Sequence, residues 1–282
     1  LIEILFHRLS RSKKIDKVIL ATSENAENDR LAETIEQLSF DVFRGSEDDV
    51  LDRYYQAAKR YNPMSVVRIT GDCPLIDPAI IDNAINQFEH EQVQYLNNVT
   101  PPTFPDGMDV EIFSFETLMD AWKKAESSHE REHVSPFIRN NNIYTKSYLT
   151  NEKNYGHERL TVDEPDDLKV VEGIIDFFWP NLDFSMCDIM DLKKEQPSLF
   201  IHNRTIGRDE GSAKGLGQKL YLRAKKLIPG GNMLLSKRPE MFLPEKWPAY
   251  FSKAKGCKVW DLDDNKFTDM SIMGIGTNIL GY

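Results

Sequence analysis

The chain has 282 residues, of which 40% are hydrophobic, so it can bury a core of ordinary size in one large domain or two. Its formal net charge of -10 and pI near 5.2 argue against a nucleic-acid-binding surface, because phosphate contacts require clustered Lys and Arg. A bound nucleotide is still compatible with this charge, since a metal ion can bridge its phosphates to carboxylates.

The chain opens on a predicted amphipathic helix at residues 2–10, and short apolar strands then alternate with helices. This alternation predicts a three-layer α/β fold with a parallel or mostly parallel sheet, whose functional edge lies at the carboxyl ends of the strands. The first predicted strands cover residues 17–22, 41–44, 65–70 and 93–96, and the predicted helices between them cover residues 28–38, 48–61 and 78–88.

Residues 97–108 are rich in proline and glycine, which predicts a long loop over the edge of the sheet that carries substrate contacts. Strands and helices then resume. The predicted strands cover residues 109–113, 144–149 and 160–162, and the predicted helices cover residues 114–126, 130–140, 165–178 and 185–195.

Two strand ends carry the most informative residues. Residues 66–78 (VVRITGDCPLIDP) run from an apolar strand into a turn that displays Asp72, and residues 160–162 run into Asp163. Open α/β sheets bind ligands at such ends, and two carboxylates there suggest one hard divalent cation. The alternative is structural: Asp72 closes a turn, and Asp163 caps the helix that starts near Pro165.

These motifs and their order resemble the sugar cytidylyltransferases, specifically the spore coat polysaccharide cytidylyltransferases related to CMP-KDO (3-deoxy-manno-octulosonate) and acylneuraminate cytidylyltransferases. The resemblance covers residues 1–202. It implies a Rossmann-like nucleotide-diphospho-sugar transferase fold and an enzyme that transfers CMP from CTP to a sugar, releasing pyrophosphate, for surface polysaccharide biosynthesis. Five segments carry it, at residues 43–55, 72–74, 106–111, 130–134 and 161–166.

By this resemblance, Asp72 and Asp163 are the catalytic aspartates that bind Mg²⁺. The residues that match the nucleotide-binding positions are Gly45, Ser46, Asp48 and Asp49, and Arg68 is a candidate to neutralise phosphate. A helix N-cap with acidic first-turn residues explains residues 45–49 equally well. A structural ion pair is the corresponding alternative for Arg68.

On the sugar side, the candidates are Asp109, Glu111, Arg131 and His133. An acidic sugar would place its carboxylate on Arg131 and His133 and its hydroxyls on Asp109 and Glu111. An exposed helical start with alternating charge is the alternative for residues 130–133. The resemblance makes CTP and a small sugar the partners, within a homodimer.

In the resembling family, a Gly-rich, basic loop follows the first strand and wraps the triphosphate, and nothing before Leu1 supplies it. We therefore expect this chain, taken alone, to lack efficient catalysis. A catalytically silent α/β domain that scaffolds an oligomer is the resulting alternative.

The C-terminal part differs in composition. Residues 203–217 hold four glycines and little apolar content, which predicts a linker. Residues 218–282 resemble the opening of class III aminotransferases of the glutamate-1-semialdehyde aminomutase type, with a hairpin at residues 259–262 and 266–270. Those enzymes bind pyridoxal phosphate through a lysine far beyond this opening. We therefore expect the chain to be an internal piece of a longer fusion protein. Aminotransferase activity and the pyridoxal phosphate cofactor are expected only in that longer protein.

The cysteines and the absence of long apolar runs in the sequence indicate the cellular location. Cys73, Cys187 and Cys257 are far apart and odd in number, so neither a disulfide framework nor a zinc cluster is indicated, and a reducing cytoplasm fits best. No window approaches the roughly eighteen consecutive apolar residues of a membrane span, and the N-terminus shows no secretory signal. We expect a soluble, cytoplasmic protein with no membrane partner.

Overall fold

The computed structural model of the chain describes residues 1–204, 206–208, 216–232, 238–243 and 247–270. The chain divides into two compact units, Leu1–His202 and Asn203–Tyr282. The predicted linker at 203–217 is described only in part, and the aminotransferase-like residues 271–282 lie outside the described residues.

The first half of unit one follows the predicted alternation. Its elements are α1 (Ile2–Leu9), β1 (Ile19–Ser23), α2 (Asp29–Gln37), β2 (Asp41–Gly45), α3 (Val50–Tyr61), β3 (Ser65–Arg68), α4 (Pro78–Glu91) and β4 (Tyr95–Asn97). Each strand and helix predicted for this half is therefore present in the structure, with ends shifted by a few residues.

The second half of unit one contains two wrong predictions. Its elements are β5 (Glu111–Ser114), α5 (Phe115–Lys124), α6 (Ser128–His133), α7 (Pro136–Asn140), β6 (Lys146–Tyr148), α8 (Pro165–Phe178) and α9 (Met186–Glu195). The predicted helix 130–140 is broken at Val134, whose φ of 68° leaves the helical region. The predicted strand 160–162 is not among the described strands. The residue before it, Arg159, makes an isolated β-bridge with Asp106.

The strands of unit one make two parallel and two antiparallel pairings. β1 pairs in parallel with β2, and a four-stranded sheet has the order β3-β5-β4-β6. β5 runs antiparallel to both β3 and β4, while β6 runs parallel to β4. β3, β4 and β6 therefore point in one direction, and the reversed strand is β5, which the alternation of letters could not reveal.

Apolar cores cover both faces of the four-stranded sheet. Leu96 and Ile112 belong to one buried cluster, while their chain neighbours Tyr95 and Phe113 belong to the other. Successive residues of a strand point to opposite faces, so the two clusters lie on opposite sides. Helices α1, α4, α8 and α9 pack in the first cluster and α3, α5 and α7 in the second. The predicted three-layer, Rossmann-like α/β fold is confirmed.

Unit two holds a helix and a small antiparallel sheet. The helix α10 (Leu216–Leu227) begins inside the predicted linker, and the sheet has the order β7 (Phe251–Lys255), β8 (Lys258–Asp261) and β9 (Lys266–Thr268). β8 and β9 form the predicted hairpin. Asp261 closes its turn by accepting hydrogen bonds from the N–H groups of Asp263 at 2.9 Å and Asn265 at 2.8 Å.

The lengths of the helices and the state of the cysteines test two of the sequence-based expectations. Among the described residues, each helix is too short or too polar to cross a membrane. The three cysteines are free thiols, of which Cys73 is buried and Cys187 and Cys257 are exposed.

Candidate functional site

Two loops meet at the carboxyl end of β3. The carbonyl of Asp72 accepts a hydrogen bond from the N–H of Val162 at 2.9 Å and another from the hydroxyl of Thr161 at 3.1 Å. These bonds fix the residue before Asp163 against Asp72. The structure therefore places Asp72 and Asp163 in adjacent loops, and the charge of Asp72 acts on the carboxyl group of Asp163.

The two structural alternatives for these aspartates have different outcomes. Asp72 does lie in a turn, because the N–H of Cys73 donates to the carbonyl of Thr70 at 3.2 Å. Asp163 is not the cap of α8, since that role falls to Glu164. The carboxylate of Asp163, whose side chain keeps 26% exposure, is therefore not committed to the helix end.

Arg159 organises the carboxylates around Asp163. This buried guanidinium donates to Asp106 at 2.9 Å, to Asp163 at 2.7 Å and to Asp167 at 2.8 Å. Asp167 also accepts the N–H of Glu164 at 3.0 Å, so it is fixed from two sides. Sequence reasoning missed Arg159, although its place directly before the apolar run that leads to Asp163 was an available signal.

The electrostatics of the pair fit a hard cation. Partial burial raises the pKa of Asp163, the hydrogen bond from Arg159 opposes that rise, and the negative charge of Asp72 adds to it. Two carboxylates that repel each other in this way favour a cation between them. Among the described residues no group of three or more His, Cys, Asp or Glu is placed to hold a metal. Two carboxylates nevertheless suit Mg²⁺, which binds one or two of them together with substrate phosphates.

Arg68 and Glu111 form a buried ion pair across β3 and β5. Arg68 donates to one carboxylate oxygen at 2.7 Å, and the hydroxyl of Tyr95 donates to the other at 2.5 Å. Burial alone would raise the pKa of Glu111, but the charge of Arg68 and hydrogen bonds from Tyr95 and Ser135 outweigh it and hold the pKa below its usual value. Two predicted site residues thus contact each other directly, and Tyr95, which sequence reasoning missed, binds the second oxygen of Glu111.

The Glu111 ion pair predicts a specific loss of stability in acid. Because the folded pKa lies below the unfolded one, the stabilisation is fully present above the ordinary Glu pKa and disappears as the pH falls through the lowered value. In Glu111→Gln we expect this part of the decline in unfolding free energy between about pH 5 and pH 3 to vanish. Urea unfolding across that range measures it, with the exposed Glu126→Gln as control. An unchanged pH dependence in Glu111→Gln would contradict the assignment.

Arg131 and Asp49 are joined to each other. The guanidinium of Arg131 donates to both oxygens of Asp49, at 2.6 to 3.1 Å, and to the carbonyl of Trp122 at 2.6 Å. Asp49 also caps α3 by accepting the N–H of Asp52 at 2.9 Å. One nucleotide candidate and one sugar candidate therefore form a link between α3 and α6.

The other nucleotide candidates lie in the turn before α3. Gly45 ends β2, Asp48 is exposed, and the hydroxyl of Ser46 accepts the N–H of Asp49 at 3.0 Å. The helix-cap alternative therefore describes what Asp49 does, while Asp48 keeps an exposed carboxylate.

The other sugar candidates are Asp109 and His133. Burial raises the pKa of the Cys73 thiol, and the charges of Asp72 and then Asp109 raise it further, so Asp109 lies close to the Asp72 turn. His133 is the last residue of α6, and the centroid of its ring is 4.6 Å from that of His129.

A cavity of about 1100 Å³ adjoins this strand end. Residues of β1 and β3 line it, and these strands pair with β2 and β5 respectively, not with each other. Its wall includes Arg53, Tyr54, Arg68, Thr70 and Gly71, which lead directly to Asp72.

Known proteins and solved structures match most of unit one. A family model described as Cytidylyltransferase matches residues 1–201. An uncharacterized protein of Methanocaldococcus jannaschii is 39% identical over 173 residues, which is 60% of this chain and 70% of that protein. The spore coat polysaccharide biosynthesis protein SpsF of Bacillus subtilis is 28% identical over 205 residues, which is 70% of this chain and 84% of SpsF. A solved cytidylyltransferase from Leptospira borgpetersenii has a TM-score of 0.68 and 34% identity, covering 71% of this chain and 84% of its own.

Shorter matches involve two kinds of enzyme. Two 3-deoxy-manno-octulosonate cytidylyltransferases match 30% and 31% of this chain, and 33% and 34% of their own length. Two aminotransferases and an aminomutase match between 22% and 25% of this chain, but only 14% to 16% of their own length.

Proposed function

Because the chain belongs to the cytidylyltransferase family, a family of nucleotidyltransferase enzymes, we propose that it transfers CMP from CTP to an acidic sugar and releases pyrophosphate. The observation that carries the proposal is the meeting of Asp72 and Asp163 at the carboxyl end of β3. We propose Mg²⁺ as the cation that these two carboxylates hold.

The reaction joins a sugar oxygen to the α-phosphorus of CTP and breaks the bond to pyrophosphate. When bound, the metal ion neutralises phosphate charge and orients the reacting groups. Asp72 and Asp163 would hold it, and Arg159 keeps the carboxylate of Asp163 in place. Arg68 brings a positive charge to the same strand end, with its guanidinium fixed by Glu111. Most of the work assigned to the protein is therefore positioning and charge neutralisation.

The substrate contacts extend the proposal to the loops around the strand end. We assign nucleotide contacts to Gly45, Ser46, Asp48 and Asp49, and sugar contacts to Asp109, Glu111, Arg131 and His133. The place of Asp109 beside Asp72 supports its role. Arg131 and Glu111 already have charged partners, so a sugar would share them with Asp49 and Arg68.

The biological role is also part of the proposal. The printed name of SpsF refers to spore coat polysaccharide biosynthesis, which supports a role in making surface polysaccharide. The short matches to 3-deoxy-manno-octulosonate cytidylyltransferases support an acidic sugar as the acceptor. A cytoplasmic location and a homodimer remain predictions.

We propose separately that residues 218–282 are the opening of an aminotransferase domain that is fused to the nucleotidyltransferase. Its support is the set of short aminotransferase matches and the β8–β9 hairpin. Pyridoxal phosphate chemistry would belong to the longer protein and stays a prediction.

Calorimetric titration of CTP into the full-length protein, with ATP, GTP and UTP as controls and with and without Mg²⁺, tests the function. We expect CTP to bind at least about tenfold more tightly than the other nucleotides, and only with Mg²⁺ present. Equal affinity for all four nucleotides would contradict the proposed preference for the cytidine nucleotide. No binding of any nucleotide would contradict the enzymatic proposal and favour the scaffold alternative.

A further inference from the structure

The amide of Asn97, the last residue of β4, has a buried donor without a partner. Its Nδ2 is inaccessible to solvent and finds no hydrogen-bond acceptor in the described part of the chain. Its Oδ1 accepts the N–H groups of Val99 and Thr100, each at 3.0 Å, so the turn after β4 determines the orientation of the amide. Buried polar groups are almost always hydrogen-bonded, so this donor indicates an acceptor that the described residues do not supply.

Asn97 lies between a buried carboxylate and the exposed edge of the sheet. It pairs with Glu111 of β5 on one side and with Tyr148 of β6 on the other. Residues paired across strands point to the same face, so these three side chains share the face on which Tyr95 packs and which α7 covers. Glu111 is buried, whereas Tyr148 is 43% exposed. The amide is therefore one strand away from solvent.

Arg139 of α7 brings an uncommitted positive charge to this face. Its guanidinium has neither a hydrogen bond nor an ion pair within the described ranges, and its charge acts on both Glu111 and Tyr95. Glu111 is already neutralised by Arg68 at 2.7 Å. Lys146 donates to the carbonyl of Arg139 at 2.6 Å and has no carboxylate partner in the same part of the chain. Two positive charges beside a neutralised ion pair favour an anion at this place.

The turn before α7 is strained. Val134 has φ of 68° and ψ of -61°, and the N–H of Ser135 donates to the carbonyl of His133 at 2.8 Å, which is the rare and strained form of γ-turn. The hydroxyl of Ser135 binds Glu111, and its carbonyl accepts the N–H of Arg139 at 2.8 Å. Strain of this kind persists where the surrounding structure imposes it, and it is concentrated at ligand sites. Here it lies where the chain attaches to Glu111 and begins the helix that carries Arg139.

We propose that Arg139 and Asn97 bind the carboxylate of the acidic sugar and so select it over neutral sugars. The proposal rests on the proposed function and adds two residues to its substrate contacts. Arg131, the sequence-based candidate for this role, already donates to both oxygens of Asp49. The planar guanidinium of Arg139 is available for the two oxygens of a carboxylate, because no other group holds it.

Asn97 adds discrimination to the charge of Arg139. A neutral sugar would leave the buried N–H group of Asn97 unsatisfied, and sites with such groups strongly reject ligands that lack the matching partner. A ligand reaches the amide by displacing the side chains beside it. Neither Arg139 nor Tyr148 is held by a side-chain hydrogen bond in the part of the chain that the structure describes, so both can move at little cost.

The site is tested by pyrophosphate release from CTP and Mg²⁺ by the full-length protein, with 3-deoxy-manno-octulosonate and N-acetylneuraminate as acidic sugars and mannose as a neutral one. In Arg139→Met we expect the KM of the accepted acidic sugar to rise about tenfold or more, because a charge-assisted hydrogen bond is lost, while the KM of CTP stays within about twofold. Arg139→Lys keeps the charge and should recover part of the loss.

Asn97→Asp tests the second residue at constant shape. Aspartate keeps the acceptor for Val99 and Thr100 but replaces the donor by an anion that repels the carboxylate, so the KM of the acidic sugar should again rise about tenfold or more. Arg30→Met, at an exposed arginine of α2, is the control and should leave both KM values unchanged.

Each other outcome decides against the site. An unchanged KM for the acidic sugar in Arg139→Met and Asn97→Asp would overturn the carboxylate site, and a parallel rise in the KM of CTP would show that these residues only support the fold. Release with mannose alone, or CTP binding without release for either acidic sugar, would overturn the site and leave the nucleotide specificity standing. A wild-type protein that binds no CTP would overturn both proposals. Thermal unfolding identifies a variant that fails to fold, and the other variant then decides.

Discussion

Asp163→Asn and Asp72→Asn are each expected to lower kcat for pyrophosphate release by about a thousandfold, since a metal site contributes several kcal/mol of charge stabilisation. Asparagine preserves the shape of each side chain but removes one of the two anionic ligands. Arg159 keeps Asp106 and Asp167 as partners in Asp163→Asn, so the fold should survive. Pyrophosphate release at saturating CTP, repeated over a series of Mg²⁺ concentrations, measures the effect.

Asp166→Asn is the matched control for this prediction. Asp166 lies in the first turn of α8, half exposed and paired with Lys169 at 2.8 Å, away from the contacts of Asp163. Its substitution should leave kcat and the Mg²⁺ dependence within about twofold of the wild type, as expected of a surface change. A full rate in Asp163→Asn at every Mg²⁺ concentration would contradict the metal-binding role.

The parts of the candidate site that local sequence specifies can be proposed from the sequence. Asp72 and Asp163 each follow a short apolar run and begin a turn or helix, so their type and position are readable from a few neighbouring letters. The residues that contact these aspartates and the other candidates cannot be read from neighbouring letters. Arg159 reaches Asp106 over 53 residues of chain, and Tyr95 reaches Glu111 from another strand. Such contacts depend on how loops and strands pack, which periodicity does not encode.

The two wrong element predictions have separate physical causes. Residues 160–162 are apolar or β-branched because Leu160 and Thr161 are buried under the loop that carries Asp106, and burial alone gives the same letters as a strand. The helical pattern of residues 130–140 is likewise real on both sides of Val134. Val134, a buried β-branched residue, has a positive φ between the two helices, and Pro136 opens α7 at a position where proline starts a helix.

Arg159→Met is expected to lower the free energy of unfolding by about 3–5 kcal/mol at neutral pH, because it leaves buried carboxylates without their cation. Asp167 is fully buried and Asp106 nearly so, and neither can regain water without moving the loops around Asp163. Without this cation, burial should raise the pKa values of these carboxylates in the folded variant. The deficit should therefore be largest at pH 7 and shrink as the pH falls and they take up protons.

Urea unfolding of Arg159→Met at neutral and mildly acidic pH measures this deficit, and a double-mutant cycle supplies its control. In Arg159→Met/Asp163→Asn one of the stranded charges is already absent, so the combined loss should be smaller than the sum of the two single losses. Strictly additive losses, or a deficit that does not depend on pH, would mean that Arg159 contributes only packing. Sub-additive losses would show that Arg159 holds Asp163 by charge, which is the arrangement that the proposed metal site requires.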